Sequence, residues 1–266
     1  MLHKIIELEG AKAYTYFWDS SKEMRPFEKR PVIVICPGGG YEFTSDREAE
    51  PIAMRFMAMG YQAVVLRYSV SPVRYPKQLI QLGSLVRHIK EHAEVYHVDP
   101  EKVFVAGFSA GGHLAASYGV FWDKEELWKE IGATKEELKP AGLILSYPVI
   151  TSGEYAHHGS FRHLLGERYE ELKELLSLEK QVSKSTPPTF LWHTFTDDLV
   201  PVENSLLFFS ALKKQGVPTE MHIYPCGGHG LALADKETSN ALGGGMQKEC
   251  ESWMFLAKTW LESMCK

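Results

Sequence analysis

Apolar residues along the chain follow two kinds of spacing. Short runs rich in Val, Ile, Leu and aromatic residues predict strands at residues 4–8, 13–18, 32–36, 63–68, 103–108, 142–146, 189–194 and 220–224. Longer amphipathic stretches predict helices at residues 46–59, 77–93, 112–122, 202–215 and 247–263. The first two strands are expected to pair antiparallel at one edge. Because strands then alternate with helices, we predict an α/β fold with a mostly parallel, eight-stranded sheet covered on both faces.

Two segments are not accounted for by these predicted strands and helices. Residues 123–140 are charged and helical in pattern, and residues 151–186 pass from a polar loop into a second helical stretch. The second segment follows the end of a strand, so we predict a small cap over the carboxyl edge of the sheet that limits substrate size. With no internal repeat or linker, residues 1–266 are predicted to form a single domain.

The strongest chemical signal is the sequence Gly107-Phe108-Ser109-Ala110-Gly111, which directly follows a predicted strand and opens a predicted helix. A serine in this G-x-S-x-G pattern lies on a tight turn that exposes its hydroxyl above the sheet. The pattern alone is common, so its meaning depends on partners elsewhere in the chain. A serine hydroxyl needs a base that takes its proton as it attacks.

Two partners follow in the order that such a mechanism uses. Asp197 comes just after the strand 189–194, and His229 comes just after the strand 220–224. Histidine accepts and returns a proton near neutral pH, and an aspartate holds the ring in the useful tautomer. Because all three residues follow strand ends, we predict that Ser109, Asp197 and His229 form a catalytic triad at one edge of the sheet.

A fourth element is the sequence Cys36-Pro37-Gly38-Gly39-Gly40-Tyr41 after the strand 32–36. Glycines let backbone N–H groups point at a developing oxyanion without interference from side chains. We therefore predict that the N–H groups of Gly39, Gly40 and Ala110 form an oxyanion hole. Tyr41 leaves this loop and is predicted to bind substrate at the mouth of the pocket.

Together these motifs resemble those of α/β-hydrolases, in the bacterial branch of acetyl esterases and acetylxylan-esterase-like proteins. The resemblance covers about residues 30–262 and includes the His-x-x-x-Asp-x-x-Val-Pro setting of Asp197 rather than Asp198. It implies a serine esterase that cleaves short acyl groups, most plausibly acetyl, and acetylated oligosaccharides as one substrate class. Many relatives have histidine where this chain has Pro37, so the usual bracing of the oxyanion loop is in question.

Four other histidines have weaker predicted roles. His113 is expected to be structural near the start of its helix, and His193 is expected to brace the loop that carries Asp197. For His157 and His158 the sequence leaves open whether they line the pocket or lie on the surface.

Composition narrows the remaining classes. A net charge of −5 argues against nucleic acid or an anionic membrane as the main partner. The amino terminus has no apolar signal segment, and no stretch approaches the ~20 apolar residues of a membrane span. The four cysteines are scattered, which predicts reduced thiols, a cytoplasmic location, and neither a metal site nor a cofactor. A small-molecule ester is the expected partner, and a homodimer is left open.

Three alternatives remain. A prolyl-oligopeptidase-like peptidase uses the same Ser-Asp-His order but carries a large additional domain. A lipase for long acyl chains needs an extended apolar cleft, which the polar cap segment does not suggest. A catalytically inactive binding protein of this fold usually lacks the serine or the histidine, and both are present here.

Overall fold

The computed structural model of the chain describes residues 1–23 and 29–265. Within these residues eight strands form one sheet. They are β1 (Ile5–Leu8), β2 (Ala11–Tyr16), β3 (Arg30–Cys36), β4 (Gln62–Arg67), β5 (Val98–Phe108), β6 (Gly142–Ser146), β7 (Thr189–Thr194) and β8 (Thr219–Tyr224). The strand order is β1-β2-β4-β3-β5-β6-β7-β8. β2 pairs antiparallel with β1 and β4, and every other neighbouring pair is parallel, so the prediction of a mostly parallel sheet is confirmed.

The described residues also form ten α-helices. They are α1 (Glu50–Ala58), α2 (Lys77–Glu91), α3 (Ala93–Tyr96), α4 (Ala110–Phe121), α5 (Glu125–Ile131), α6 (Lys135–Leu138), α7 (His158–Leu165), α8 (Tyr169–Leu172), α9 (Glu203–Gln215) and α10 (Trp253–Met264). Two predicted helices are shorter than expected, because residues 46–48 and 248–252 form 3₁₀ turns that precede α1 and α10.

The sheet is covered on both faces, as its apolar strands predicted. Val32 and Val34 point into a core that contains α2, α4 and α9, whereas Ile33 and Ile35 point into a core that contains α1 and α10. Successive side chains of a strand face opposite sides, so β3 contributes to both cores. Burial on both faces explains why the parallel strands read as continuous apolar runs rather than as alternating ones.

One strand boundary differs from expectation. The strand predicted at residues 103–108 is longer in the structure, because β5 begins at Val98 and continues through Asp99 and Pro100. The pairing of β5 with β3 is irregular there, since Arg30 lies opposite Val98 and Val32 lies opposite Val103. A bulge of this kind accommodates Pro100, which has no N–H for the sheet.

The segment 151–186 packs on the core as a small, mostly helical layer. Its apolar side chains Phe161, Leu164 and Leu176 are buried against the same core as α4. The Leu178 N–H donates to the Ile150 carbonyl oxygen at 3.0 Å, which attaches the end of the segment next to β6. The predicted cap is therefore an integral layer of the fold, and its first helix, α7, lies at the carboxyl edge of the sheet.

Within residues 1–23 and 29–265, none of the helices has both the length and the apolar character needed to cross a membrane.

Candidate active site

Ser109 occupies the turn between β5 and α4. Its backbone is in a strained conformation with φ 53°, and the residue is only 8% exposed. A non-glycine residue with positive φ costs energy that the surrounding structure must supply, and such strain is concentrated at functional sites. Here the Ser109 N–H donates to Ser146 O at 3.0 Å, and Ser109 O accepts from the N–H of His113 and of Val149. These three hydrogen bonds attach the turn to β6, to α4 and to the segment that follows β6.

Three predicted residues meet through a continuous hydrogen-bond relay. His229 Nε2 lies 2.7 Å from Ser109 Oγ, and His229 Nδ1 lies 2.7 Å from Asp197 Oδ2. Each residue comes from a different loop, after β5, β7 and β8 respectively. The convergence follows from the parallel sheet, because the carboxyl ends of its strands share one edge. The edge of the Tyr147 ring packs against the His229 imidazole, with ring centroids 5.1 Å apart.

Asp197 is held as a carboxylate by its surroundings. Its Oδ1 accepts from the N–H groups of Leu199 and Val200 at 3.1 Å and 3.0 Å. Burial by itself would raise the pKa of Asp197, but hydrogen bonds with His193 and His229 hold that pKa well below its usual range. An ionised Asp197 accepts from His229 Nδ1–H, which leaves Nε2 as the atom that faces Ser109 Oγ.

His193 braces the loop that carries Asp197, as predicted. The buried ring donates from Nε2 to Val200 O at 2.9 Å, and its Nδ1 lies 2.8 Å from Ser205 Oγ. The same Nε2 is 3.3 Å from Asp197 Oδ2. The ring therefore ties the acid loop to α9, which fixes the position of Asp197.

A buried glutamate braces the glycine loop that contains Pro37. Glu48 accepts the Gly38 N–H at 2.8 Å and the Tyr147 O–H at 2.7 Å. In addition, Tyr68 O–H donates to Pro37 O at 2.6 Å. Sequence reasoning missed Glu48, because a single acidic residue in a predicted helix gives no sign that it will be buried. The only available signal was its position shortly after the glycine loop.

Two of the predicted oxyanion donors, Gly39 and Gly40, belong to the same cavity wall as Ser109, and the third, Ala110, is the next residue in the chain. Gly39 and Gly40 line a cavity of about 340 Å³ together with Ser109 and His229. Among the described residues, the N–H groups of Gly39, Gly40 and Ala110 donate to no protein acceptor. Gly39 has φ 123°, and a Cβ there would lie 2.2 Å from Phe43 O, so no other residue fits without movement of the loop. These N–H groups are thus available to a negatively charged oxygen at Ser109.

The expectation for Tyr41 is wrong. Its side chain is 1% exposed, and its hydroxyl lies 2.9 Å from His113 Nδ1 below the cap. Tyr41 has φ 59°, which turns the side chain away from the mouth of the pocket and into the core. The exposed position belongs instead to Phe43, two residues later, which lines the catalytic cavity. Sequence patterns did not separate these two aromatic residues.

The cap contributes His157 and His163 to the cavity wall. The sequence left open whether His157 lines the pocket, and it did not suggest a role for His163. His157 lines the cavity and lies 2.7 Å from Ser160 Oγ, and burial, followed by the charge of His229, lowers its pKa. His163 donates from Nδ1 to Gly40 O at 3.0 Å, which links α7 to the glycine loop. His158 does not line the cavity; its Nδ1 lies 3.0 Å from Tyr169 Oη.

His113 is structural, as predicted. It is buried between Tyr41 and the cap, where Nε2 donates to Leu176 O at 3.0 Å. Burial lowers the pKa of His113 to about 4, so the ring is neutral near neutral pH.

A larger groove lies elsewhere on the surface. It has a volume of about 620 Å³ and is lined by residues of α2, α5 and the cap, but by none of the three relay residues. The cavity that contains Ser109 and His229 is therefore the smaller of the two. Among the described residues, no cluster of three or more His, Cys, Asp or Glu side chains is arranged to hold a metal ion.

Comparison with known proteins gives a consistent set of relatives. Residues 21–212 match the family model described as BD-FAE. Endo-1,4-beta-xylanase B of Butyrivibrio fibrisolvens is 39% identical over 224 residues, which cover 82% of this chain. Acetylxylan esterase of Xylanibacter ruminicola is 32% identical over 218 residues, which cover 76% of this chain. The chain spans 35% and 41% of the lengths of these two proteins.

Solved structures match over nearly the whole chain. An acetyl ester-xyloside bifunctional hydrolase from Caldicellulosiruptor lactoaceticus has a TM-score of 0.84 at 39% identity, covering 96% of this chain and 88% of that one. A carboxylesterase from Lactobacillus plantarum has a TM-score of 0.88 at 31% identity, covering 99% and 98%.

Proposed function

This chain belongs to the BD-FAE family of esterase-like α/β-hydrolases, and on that premise we propose that it is a serine carboxylester hydrolase for short acyl esters. The observation that carries the proposal is the relay from Asp197 through His229 to Ser109, in a cavity that Gly39 and Gly40 also line. Acetyl is the acyl group that we propose, and acetylated oligosaccharides are the proposed natural class.

The reaction begins with attack on the ester carbonyl carbon. Ser109 Oγ forms the new C–O bond while its proton passes to His229 Nε2, 2.7 Å away. The carbonyl oxygen becomes negatively charged and accepts hydrogen bonds from the N–H groups of Gly39, Gly40 and Ala110. One such donor is commonly worth about 3 kcal/mol of barrier.

The tetrahedral intermediate then expels the alcohol. His229 returns its proton to the leaving oxygen, and the acyl group stays on Ser109 as an ester. A water molecule attacks this acyl-enzyme, and its proton passes to His229. The carboxylic acid leaves as Ser109 Oγ takes the proton back, so the enzyme is restored. Asp197 stays ionised throughout and stabilises the imidazolium at both stages.

The preference for short acyl groups rests on the size and lining of the cavity. Its volume of about 340 Å³ is near the lower end for small-molecule sites. The cap contributes His157, Gly159 and His163 to its wall, and α7 is tied to the glycine loop through His163. A long acyl chain would therefore find less room beside this anchored helix than a short one.

Two other candidates find less support. A binding protein without catalysis does not account for the strained Ser109 or for the short relay bonds, which an inactive site has no reason to maintain. A peptidase of the prolyl-oligopeptidase type shares the relay, but the similar proteins are named for ester or xyloside hydrolysis.

The test compares p-nitrophenyl acetate, butyrate and decanoate, with the Ser109→Ala variant as the control for background hydrolysis. We expect kcat/KM for acetate or butyrate to exceed that for decanoate by about tenfold or more, as exclusion of apolar methylene groups requires. Faster cleavage of decanoate would overturn the short-chain preference. Equal rates with Ser109→Ala would overturn the serine mechanism. A panel of acetylated xylo- and manno-oligosaccharides then tests the natural class.

A further inference from the structure

Arg47 is a charged residue of the catalytic cavity that the proposed reaction does not use. It follows the glycine loop in the 3₁₀ turn of residues 46–48 and lines the same cavity as Ser109 and His229. Its Nε donates to the Thr238 carbonyl oxygen, which fixes the side chain toward the loop of residues 238–247. A guanidinium group carries five N–H donors, so this bond leaves most of them for other acceptors.

Arg47 forms no ion pair with a described carboxylate. No Asp or Glu oxygen among residues 1–23 and 29–265 lies within 4.0 Å of its guanidinium nitrogens, although the arginines at positions 55, 67, 87 and 168 each have such a partner. Its Nη2 is buried without an acceptor in the described protein. Leaving a buried charged donor unsatisfied costs about 1–3 kcal/mol or more, so such a group calls for an explanation.

The nearby carboxylates are already engaged or directed elsewhere. Glu48 shares the neighbourhood of Gly230 with Arg47, but its oxygens accept from Gly38 N–H and Tyr147 O–H. Asp46 pairs with Arg67 at 3.0 Å. Glu42 also lines the cavity, but it is exposed to solvent and lies beyond 4.0 Å from Arg47. None of these three carboxylates therefore forms a direct ion pair with Arg47, although Glu42 and Glu48 line the same cavity and keep their negative charge.

The two terminal nitrogens of Arg47 have different surroundings. Nη2 is covered, since a Cβ on Gly245 would be 2.5 Å from it, whereas Nη1 lies beside Gly230, which lines the cavity and whose Cβ would be 4.0 Å away. The other basic groups of the cavity wall are His157, His163 and His229, and burial lowers the pKa of His157 below its usual value. Among the described residues of the cavity wall, Arg47 is the one arginine or lysine, and it stands beside the carboxylates of Glu42 and Glu48.

We propose that Arg47 makes this cavity selective for esters that carry a carboxylate, which its guanidinium binds while Ser109 attacks the ester carbonyl. The inference rests on the proposed esterase function and adds a charged substrate class to it. Guanidinium groups match carboxylates geometrically and form charge-assisted hydrogen bonds with them. The carboxylate lies either on the alcohol part, as in an acidic sugar, or on the acyl part, as in a dicarboxylic monoester.

The experiment measures kcat/KM on two pairs of matched substrates. One pair carries the charge on the alcohol side: p-acetoxybenzoate against its neutral methyl ester. The other carries it on the acyl side: the p-nitrophenyl monoester of glutaric acid against the p-nitrophenyl ester of monomethyl glutarate. The anionic-to-neutral ratio is compared between the native protein and Arg47→Met, which cancels differences in leaving-group reactivity and any general damage to the site.

We expect Arg47→Met to lower this ratio about tenfold for one of the two pairs, the size expected for one lost charge-assisted contact. Arg47→Lys, which keeps the charge without the planar fork, should retain part of the preference. Glu42→Gln should raise the ratio, because it removes the opposing charge from the wall. Arg168→Met on the cap surface is the matched control and should leave the ratio unchanged. The pair that responds identifies which part of the substrate carries the carboxylate.

An unchanged ratio for both pairs in Arg47→Met would overturn the inference and assign Arg47 a purely structural role. If Arg47→Met does not fold, the salt dependence of kcat/KM in the native protein tests the same proposal. Raising the salt from about 0.05 M to about 0.5 M should lower the anionic rate and not the neutral one, because ions screen the pairing. Equal salt responses would contradict the proposal. Failure of the esterase function itself is distinguishable, since the neutral esters would then not be cleaved.

Discussion

The turn that carries Ser109 and the mouth of the same cavity are built on opposite principles. At the turn, side chains and backbone fill the space: Gly111 has no room for a Cβ, which would lie 2.1 Å from Cys36 O and 2.3 Å from Pro37 O. At the mouth, Phe43 and Leu199 are exposed, so a substitution of either side chain mainly changes contacts with water. We therefore expect the tightly packed centre to determine the proposed reaction, and the exposed rim to influence the choice of substrate and to tolerate substitution.

The largest effect should come from the acid of the relay. Asp197→Asn is expected to lower kcat by about four powers of ten, because an amide favours the wrong tautomer of His229. Asp198→Asn is the matched control on the next residue, and it should have little effect. The measurement is kcat on p-nitrophenyl acetate with folding checked by circular dichroism. Equal losses in the two variants would show that the carboxylate has been assigned to the wrong residue.

The next effect tests the packing of the nucleophile turn. Gly111→Ala is expected to lower the free energy of unfolding by at least about 3 kcal/mol, since a methyl group would overlap two backbone oxygens. Gly228→Ala, one residue before His229, serves as the control because a Cβ there meets nothing within 4 Å. Urea denaturation of both variants measures the difference. A Gly111→Ala protein as stable as the native one would contradict the rigid centre.

Much of this rigid centre was predictable from the sequence because its geometry depends on local rules. The G-x-S-x-G turn and the strand ends are encoded within a few residues, and parallel pairing then brings Ser109, Asp197 and His229 to one edge. The eight strands were predicted for a related reason, since burial on both faces produces recognisable apolar runs.

The residues that brace the centre and those that form the rim could not be predicted from local sequence patterns. Glu48 braces the glycine loop across ten residues and reaches Tyr147 across 99, and neither contact leaves a local pattern. Tyr41 and Phe43 are both aromatic residues in one loop, and their positions depend on a positive φ at Tyr41. Arg47 was missed for the same reason, because the sequence shows its charge but not the absence of a nearby partner.

A third prediction concerns the attachment of the cap to the centre through His113. Its pKa falls from 6.5 to about 4 on burial, so the unfolded chain takes up a proton more readily than the folded one in this window. Stability from the neutral ring is therefore complete above about pH 6.5 and is lost as the pH falls toward 4, by at most about 3 kcal/mol. In His113→Gln this component of the pH dependence should disappear. Urea denaturation of both proteins between neutral pH and pH 4 measures it, and parallel stability curves would contradict it.

The smallest effect should come from the rim. Phe43 is 58% exposed and contributes to the cavity wall. Phe43→Ala is expected to raise KM for p-nitrophenyl butyrate about threefold with little change in kcat, because the lost contact is made equally in the ground and transition states. Phe255→Ala is the matched control, since Phe255 on α10 is also an exposed phenylalanine, at 70%, and does not line the cavity. A hundredfold fall in kcat for Phe43→Ala would mean that the ring positions the oxyanion loop. Phe43 would then belong to the rigid centre and not to the tolerant rim.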